Sequence, residues 1–102
     1  MLKALNDDYE YVRSAALHNK NVTDAVVIAG LSDESVDIQI RAADAAGSET
    51  ARLAALEHEN FSVRYRVFNT SEPLPRSVVE KGLKDSHFYV RDCAASAEIA
   101  DD

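Results

Sequence analysis

Few side chains in this 102-residue sequence could do covalent or metal chemistry at neutral pH: His18, His58, His87 and a single thiol, Cys93. A metal centre needs three or more converging ligands held by supporting hydrogen bonds. The three histidines fall at unrelated places, and no pair of candidate ligands has the spacing that one helix face would provide. Cys93 lies two residues after Arg91 and is followed by Ala94-Ala95. A cation nearby can activate a thiolate, but no His partner accompanies it, and a small buried core residue is the simpler reading. The sequence contains no G-x-S-x-G elbow, no glycine-rich phosphate loop and no H-E-x-x-H. It therefore offers no catalytic residue, no metal ligand and no cofactor site, and points away from an enzyme.

Charge gives the next candidates. Arg64-Tyr65-Arg66 interleaves an aromatic ring with cations, and Arg76, Lys81 and Lys84 follow, which is the chemistry of a weak nucleic-acid contact. A duplex binder, however, needs a continuous Lys/Arg stripe. Here the whole chain carries −7, and the stretch Asp24–Glu49 has six acids against Arg41, a net of −5. From Arg52 to Arg91 seven bases face five acids, a net of +2. This distribution weighs against nucleic acid. It also raises an alternative, a small acidic inhibitor or nucleic-acid mimic that blocks a basic protein.

The elements that would position these residues come from an internal repeat, and such periods decide the fold. Aligning an opening Leu gives LNDDYEYVRSAAL from Leu5, LSDESVDIQIRAADAA from Leu31, LEHENFSVRYRVF from Leu56 and LKDSHFYVRDCAASA from Leu83. The starts lie 26, 25 and 27 residues apart. Asp7, Asp33 and Asp85 stand two residues after the Leu, where the third copy has His58. A β-branched residue plus Arg recurs as Val12-Arg13, Ile40-Arg41, Val63-Arg64 and Val90-Arg91. The second copy reaches this pair two residues late, which predicts a short insertion there.

Each copy predicts two short helices. The first starts near the aromatic residues and passes through the Val-Arg pair, with Val12, Ala15 and Ala16 on one apolar face. The second runs up to the next Leu, as in VTDAVVIAGL. Ser48, Asn60 and Ser86 are placed to cap helices, Pro75 to occupy a first helical position, and EPLP to lengthen one connection. Helices of about ten residues are marginal alone, so they must stack. Abundant Ala, three Gly and two Pro agree with an all-α chain.

With these residues in view, the chain resembles HEAT-like α-solenoids, closest to the variant leucine-rich repeat type. That pattern runs Leu, Asp, Val-Arg, Asn, Pro, Val-Leu; VRSAALHNKNVTDAVVIAGLSD and VRYRVFNTSEPLPRSVVEKGLKD follow its order, with Asn19 and Asn69 in the Asn place. The first copy lacks the Pro, and the second is shortened after Arg41. The resemblance implies one short right-handed α-solenoid of stacked helix pairs over residues 1–102, in units near 5–30, 31–55, 56–82 and a partial 83–102. Such scaffolds host many unrelated roles.

On this reading Asp7, Arg13, Asp33, Arg41, Arg64, Asp85 and Arg91 are structural repeat positions, each Arg bonding the Asp and open carbonyls of its own or a neighbouring turn. The Val beside each Arg belongs to the core. Solenoids bind partners along the face made by their second helices, which predicts Asp24, Glu49, Arg52, Arg76, Glu80 and Lys81 as exposed binding positions. The expected function is non-catalytic binding of a protein partner by a monomer or weak oligomer. No charged-then-apolar leader and no apolar run near the ~20 residues of a membrane span occur. With the single cysteine, that predicts a cytoplasmic location. The sequons at Asn21, Asn60 and Asn69 are then chance matches. Lys3, Asp101 and Asp102 would make the two ends polar.

Overall fold

The computed structural model describes residues 2–19 and 21–100, and for 2–9 the backbone alone. Seven α-helices account for most of it: α1 (Leu2–Leu17), α2 (Asp24–Leu31), α3 (Val36–Ala45), α4 (Glu49–Ala55), α5 (Phe61–Arg64), α6 (Arg76–Leu83) and α7 (Phe88–Ala95). A 3₁₀ segment, Tyr65–Phe68, prolongs α5. The chain is all-helical, with no strand among the described residues. Leu5, Asp7, Lys3, Asp101 and Asp102 lie outside the described side chains.

Helix starts follow a local rule. Thr23 caps α2, Ser35 caps α3 and Ser48 caps α4, each accepting a backbone N–H three residues on. Asn60 and His87 cap α5 and α7 by accepting the N–H two residues on. His87, not Ser86, therefore caps the last helix, and Pro75 stands at the N-cap of α6 rather than inside it. The caps of α3, α5 and α7 lie four residues after the repeat's Leu. In the first copy that place holds Tyr9, a residue type with no acceptor close to the backbone. The break expected before Tyr9 is accordingly missing, and α1 runs unbroken from Leu2 to Leu17.

The helices form two rows. In one, α3 packs between α1 and α5, and α7 packs on the 3₁₀ segment; in the other, α4 packs between α2 and α6. The core lies between the rows, built of small and β-branched side chains such as Val27, Ile38, Ala42, Ala51, Val67 and Val78. One non-helical link closes the far end. Leu74, itself buried, donates its N–H to the Glu98 carbonyl (2.8 Å) and accepts from the Ala100 N–H (2.8 Å). The EPLP connection is thereby tied to the chain after α7.

Burial corrects the repeat register in two copies. Ile38, Val63 and Val90 are 0–1% exposed, and each lies seven residues after its Leu. The second copy therefore has no insertion: its joint pair is Ile38-Gln39, not Ile40-Arg41. Arg41 lies on the helix surface and pairs with Asp37 one turn back at 3.3 Å. Val12 keeps the seven-residue spacing but is 63% exposed, so it is not core.

Close approach of the rows explains a recurrent small residue just before the Leu: Gly30, Ala55 and Gly82. A Cβ on Gly82 would stand 2.8 Å from the Ala94 Cβ and collide with the Phe68 ring; one on Gly30 would stand 2.8 Å from the Ala42 Cβ. Overpacking of about 1–3 kcal/mol exceeds the helix propensity of about 1 kcal/mol that alanine would add. Gly82→Ala is therefore expected to lower stability by up to about 2 kcal/mol. Gly47→Ala, in open space at a negative φ, should be neutral or stabilising. Urea-unfolding midpoints of the two variants check the contrast.

Candidate partner-binding face

The site is built from the joints that hold the rows together. In the third joint the Arg64 Nε and Nη2 donate to the two carboxylate oxygens of Asp85 at 2.9 and 3.0 Å, while Nη1 donates to the His58 and Glu59 carbonyls, both at 2.9 Å. Asp85 also accepts the His87 N–H at 2.9 Å, which sets up the cap of α7. The first joint repeats the pairing with poorer geometry: Arg13 Nη2 donates to Asp33 Oδ1 at 3.2 Å, Nε lies 2.6 Å from Oδ2 without a hydrogen bond, and Asp33 accepts the Ser35 N–H. Arg91 donates to the Asp85 carbonyl at 2.7 Å.

The middle joint uses other chemistry. Gln39 occupies the Arg place and donates to the Asp33 carbonyl, as Arg64 and Arg91 do to their own turns. His58 occupies the Asp place, and its Nδ1 accepts the Asn60 N–H at 2.9 Å, as the carboxylates do elsewhere. A guanidinium and a carboxylate have thus been exchanged together for two neutral groups. Arg66 spans the same boundary from the 3₁₀ segment, gripping Asp44 at 2.9 and 2.7 Å.

The second helices stand in one row. The Ser48 hydroxyl donates to Asp24 at 2.8 Å and the Ser77 hydroxyl to Glu49, so the starts of α2, α4 and α6 stand side by side. Asp24, Glu49 and Arg76 are exposed and occupy matching places, seven residues before each Leu; Ile28, Leu53 and Glu80 match three residues before it. Lys81 is half-buried and pairs with Glu57. Arg76 and Glu80 have no ion-pair partner among the described residues. Arg52 departs from expectation: it is 7% exposed, turned inward against Glu72, and does not belong to the open face.

The remaining candidates are dispersed. Of the basic side chains considered for nucleic acid, Arg64, Arg66 and Lys81 are engaged by acids, and Arg76 and Lys84 stand exposed. Burial pushes the Cys93 thiol pKa up, Asp92 adds to this and the Tyr89 hydroxyl only partly opposes it. The thiolate is therefore disfavoured. Among the described residues no three His, Cys, Asp or Glu side chains are grouped to hold a metal ion, and no helix is long and apolar enough to cross a membrane. Compared with family models, curated proteins and solved structures, the chain matches none.

One feature was hidden in the sequence. Phe61 stacks on His87 with ring centres 3.8 Å apart, and Tyr89 meets Tyr65 edge-on at 5.1 Å. Phe88, stacked on His87 with ring centres 5.1 Å apart, is 69% exposed. The recurrence of Phe five residues after the Leu in the last two copies was the available signal.

Two outcomes test the joints. Burial alone would raise the Asp85 pKa, but the Arg64 and His87 hydrogen bonds outweigh it and hold the carboxyl below its ordinary range. Its folded pKa is thus below its unfolded one, so its stabilisation is present above about pH 4 and is lost as pH falls through the folded value. Asp85→Asn should cost about 3 kcal/mol at neutral pH, and urea titrations should show the deficit shrinking below about pH 4. Gln39→Arg with His58→Asp should install the missing pair. A double-mutant cycle is expected to give a favourable coupling of about 1 kcal/mol.

Proposed function

We propose that the protein is a non-catalytic interaction module, a short HEAT-like solenoid that binds a protein partner along its second-helix row. The observation that carries this reading is the alignment of α2, α4 and α6 by the Asp24–Ser48 and Glu49–Ser77 hydrogen bonds, which makes one continuous face from three short helices. Stacking in two rows and an extent of 49 × 28 × 19 Å suit a solenoid of helix pairs. Matching positions along the row change from acid (Asp24, Glu49) to base (Arg76), and from apolar (Ile28, Leu53) to acid (Glu80). Such a gradient orients a partner of complementary charge more than it adds affinity.

The acidic-mimic reading draws less support. Asp33, Asp37 and Asp44 are spent on Arg13, Arg41 and Arg66, so the acidic stretch does not present a free row of charge. Nucleic-acid binding is weakened by the engagement of Arg64, Arg66 and Lys81 with acids.

Arg76 and Glu80 give the cleanest test, because reversing them disturbs no described ion pair. The wild-type chain should retain a protein partner in a low-salt pull-down that survives nuclease. The Arg76→Glu, Glu80→Arg double variant should fold with an unchanged melting temperature and lose that partner at least tenfold. Recovery that disappears on nuclease treatment would count against the module and for nucleic acid.

A further inference from the structure

Two arginines, Arg52 and Arg64, are buried to within a tenth of full exposure, yet their surroundings use them differently. Arg64 makes four hydrogen bonds, two to Asp85 and two to turn carbonyls. Arg52 makes one among the described residues, from Nη2 to Glu72 Oε1 at 3.2 Å, and the Glu72 side chain is 72% exposed. A guanidinium carries five N–H donors in a planar fork. Burying one is unfavourable unless it is paired and hydrogen-bonded. A single contact of 3.2 Å to a solvated carboxylate leaves its other donors unbonded by protein and open to solvent, since among the described residues the one sealed side-chain donor without a partner is Arg13 Nε.

Arg52 also borders a cavity. Arg52 lines a polar space of about 220 Å³ together with Asp44, Gly47, Arg66, Asn69 and Thr70. The space lies at the long connection between the 3₁₀ segment and α6, where residues 69–75 replace the three-residue link 46–48 of the second copy. Arg66 is held by both oxygens of Asp44 and forms a fixed wall, so Arg52 is the cation with donors to spare. Glu72 comes from the loop itself, where its backbone N–H donates to Thr70 Oγ1 at 3.2 Å.

We propose that this cavity is an anion site for the carboxylate side chain of an acidic peptide, with Arg52 as receptor and Glu72 as the resident carboxylate that the ligand displaces. The guanidinium fork matches a carboxylate in bidentate geometry. The volume is below the roughly 300–1,000 Å³ of sites for cofactors and drug-sized ligands, and suits one side chain. Asp44 at the wall is a second negative charge, which a phosphate dianion would meet more strongly than a monoanionic carboxylate. The site does not rest on the second-helix face, because an isolated peptide probes it whether or not that face binds a partner.

The test is an NMR titration of the full ¹⁵N-labelled chain with the peptide Ac-Gly-Glu-Gly-NH2, its Gln counterpart and inorganic phosphate. The Glu peptide should give saturable shifts at the Arg52 Nε and the Thr70–Glu72 amides, and the Gln peptide none. Glu72→Gln, on the surface and away from the core, should bind the Glu peptide at least threefold tighter because the competitor is gone. Arg52→Gln should abolish binding; if that variant fails to fold, the Glu72→Gln comparison decides. Absence of saturable shifts, equal shifts with the Gln peptide, or unchanged or weaker binding by Glu72→Gln would overturn the proposal. Tighter binding of phosphate than of the Glu peptide would overturn the carboxylate assignment.

Discussion

The Arg64–Asp85 contact is the interaction on which the later half of the molecule depends. One guanidinium holds two carbonyls of the turn before α5 and both oxygens of the carboxylate before α7. That carboxylate in turn receives the His87 N–H, and His87 caps α7. Three elements are thus registered by two side chains. The economy matters because α5 has only four residues and could not persist alone. Both partners are shielded from water, and four hydrogen bonds offset the cost of burying the guanidinium; a buried pair broken on one side costs about 3–5 kcal/mol.

Around this joint the packing is set by size rather than by shape. Small residues before Leu31, Leu56 and Leu83 let second helices come close to the next first helix, and the β-branched residues seven positions after these three, Ile38, Val63 and Val90, fill the space between rows. Aromatic rings are largely kept out of this interior and collect instead around His87, between the last two first helices. Histidine here does the work of Asp and Ser: His58 and His87 each use Nδ1 as a backbone acceptor.

Helix content, the repeat length and the core role of Val63 and Val90 were legible because they depend on spacing and residue type within one copy. The second copy was misread because Ile40-Arg41 looks like the Val-Arg pair, whereas the joint is defined by a donor's position, and Gln39 holds that position without a charge. His58 and His87 read as histidines at unrelated places because their shared role lies in a ring nitrogen acting as an oxygen would. Arg52 read as exposed because its inward turn is completed by Glu72, twenty residues away in a loop that no helical periodicity describes.

The neutral middle joint has a consequence for how the chain responds to its surroundings. The outer boundaries are fastened by Arg–Asp pairs that include shielded carboxylates, Asp33 and Asp85. At the middle boundary the charged fastenings are Arg66 with Asp44, both partly in solvent, and Arg52 with the exposed Glu72. Charges open to water are screened over about 8–10 Å by physiological salt, and shielded ones much less. Ionic strength therefore acts unevenly along the chain, weighing on the ion pairs of the middle boundary more than on the outer ones, while one continuous apolar core spans all three.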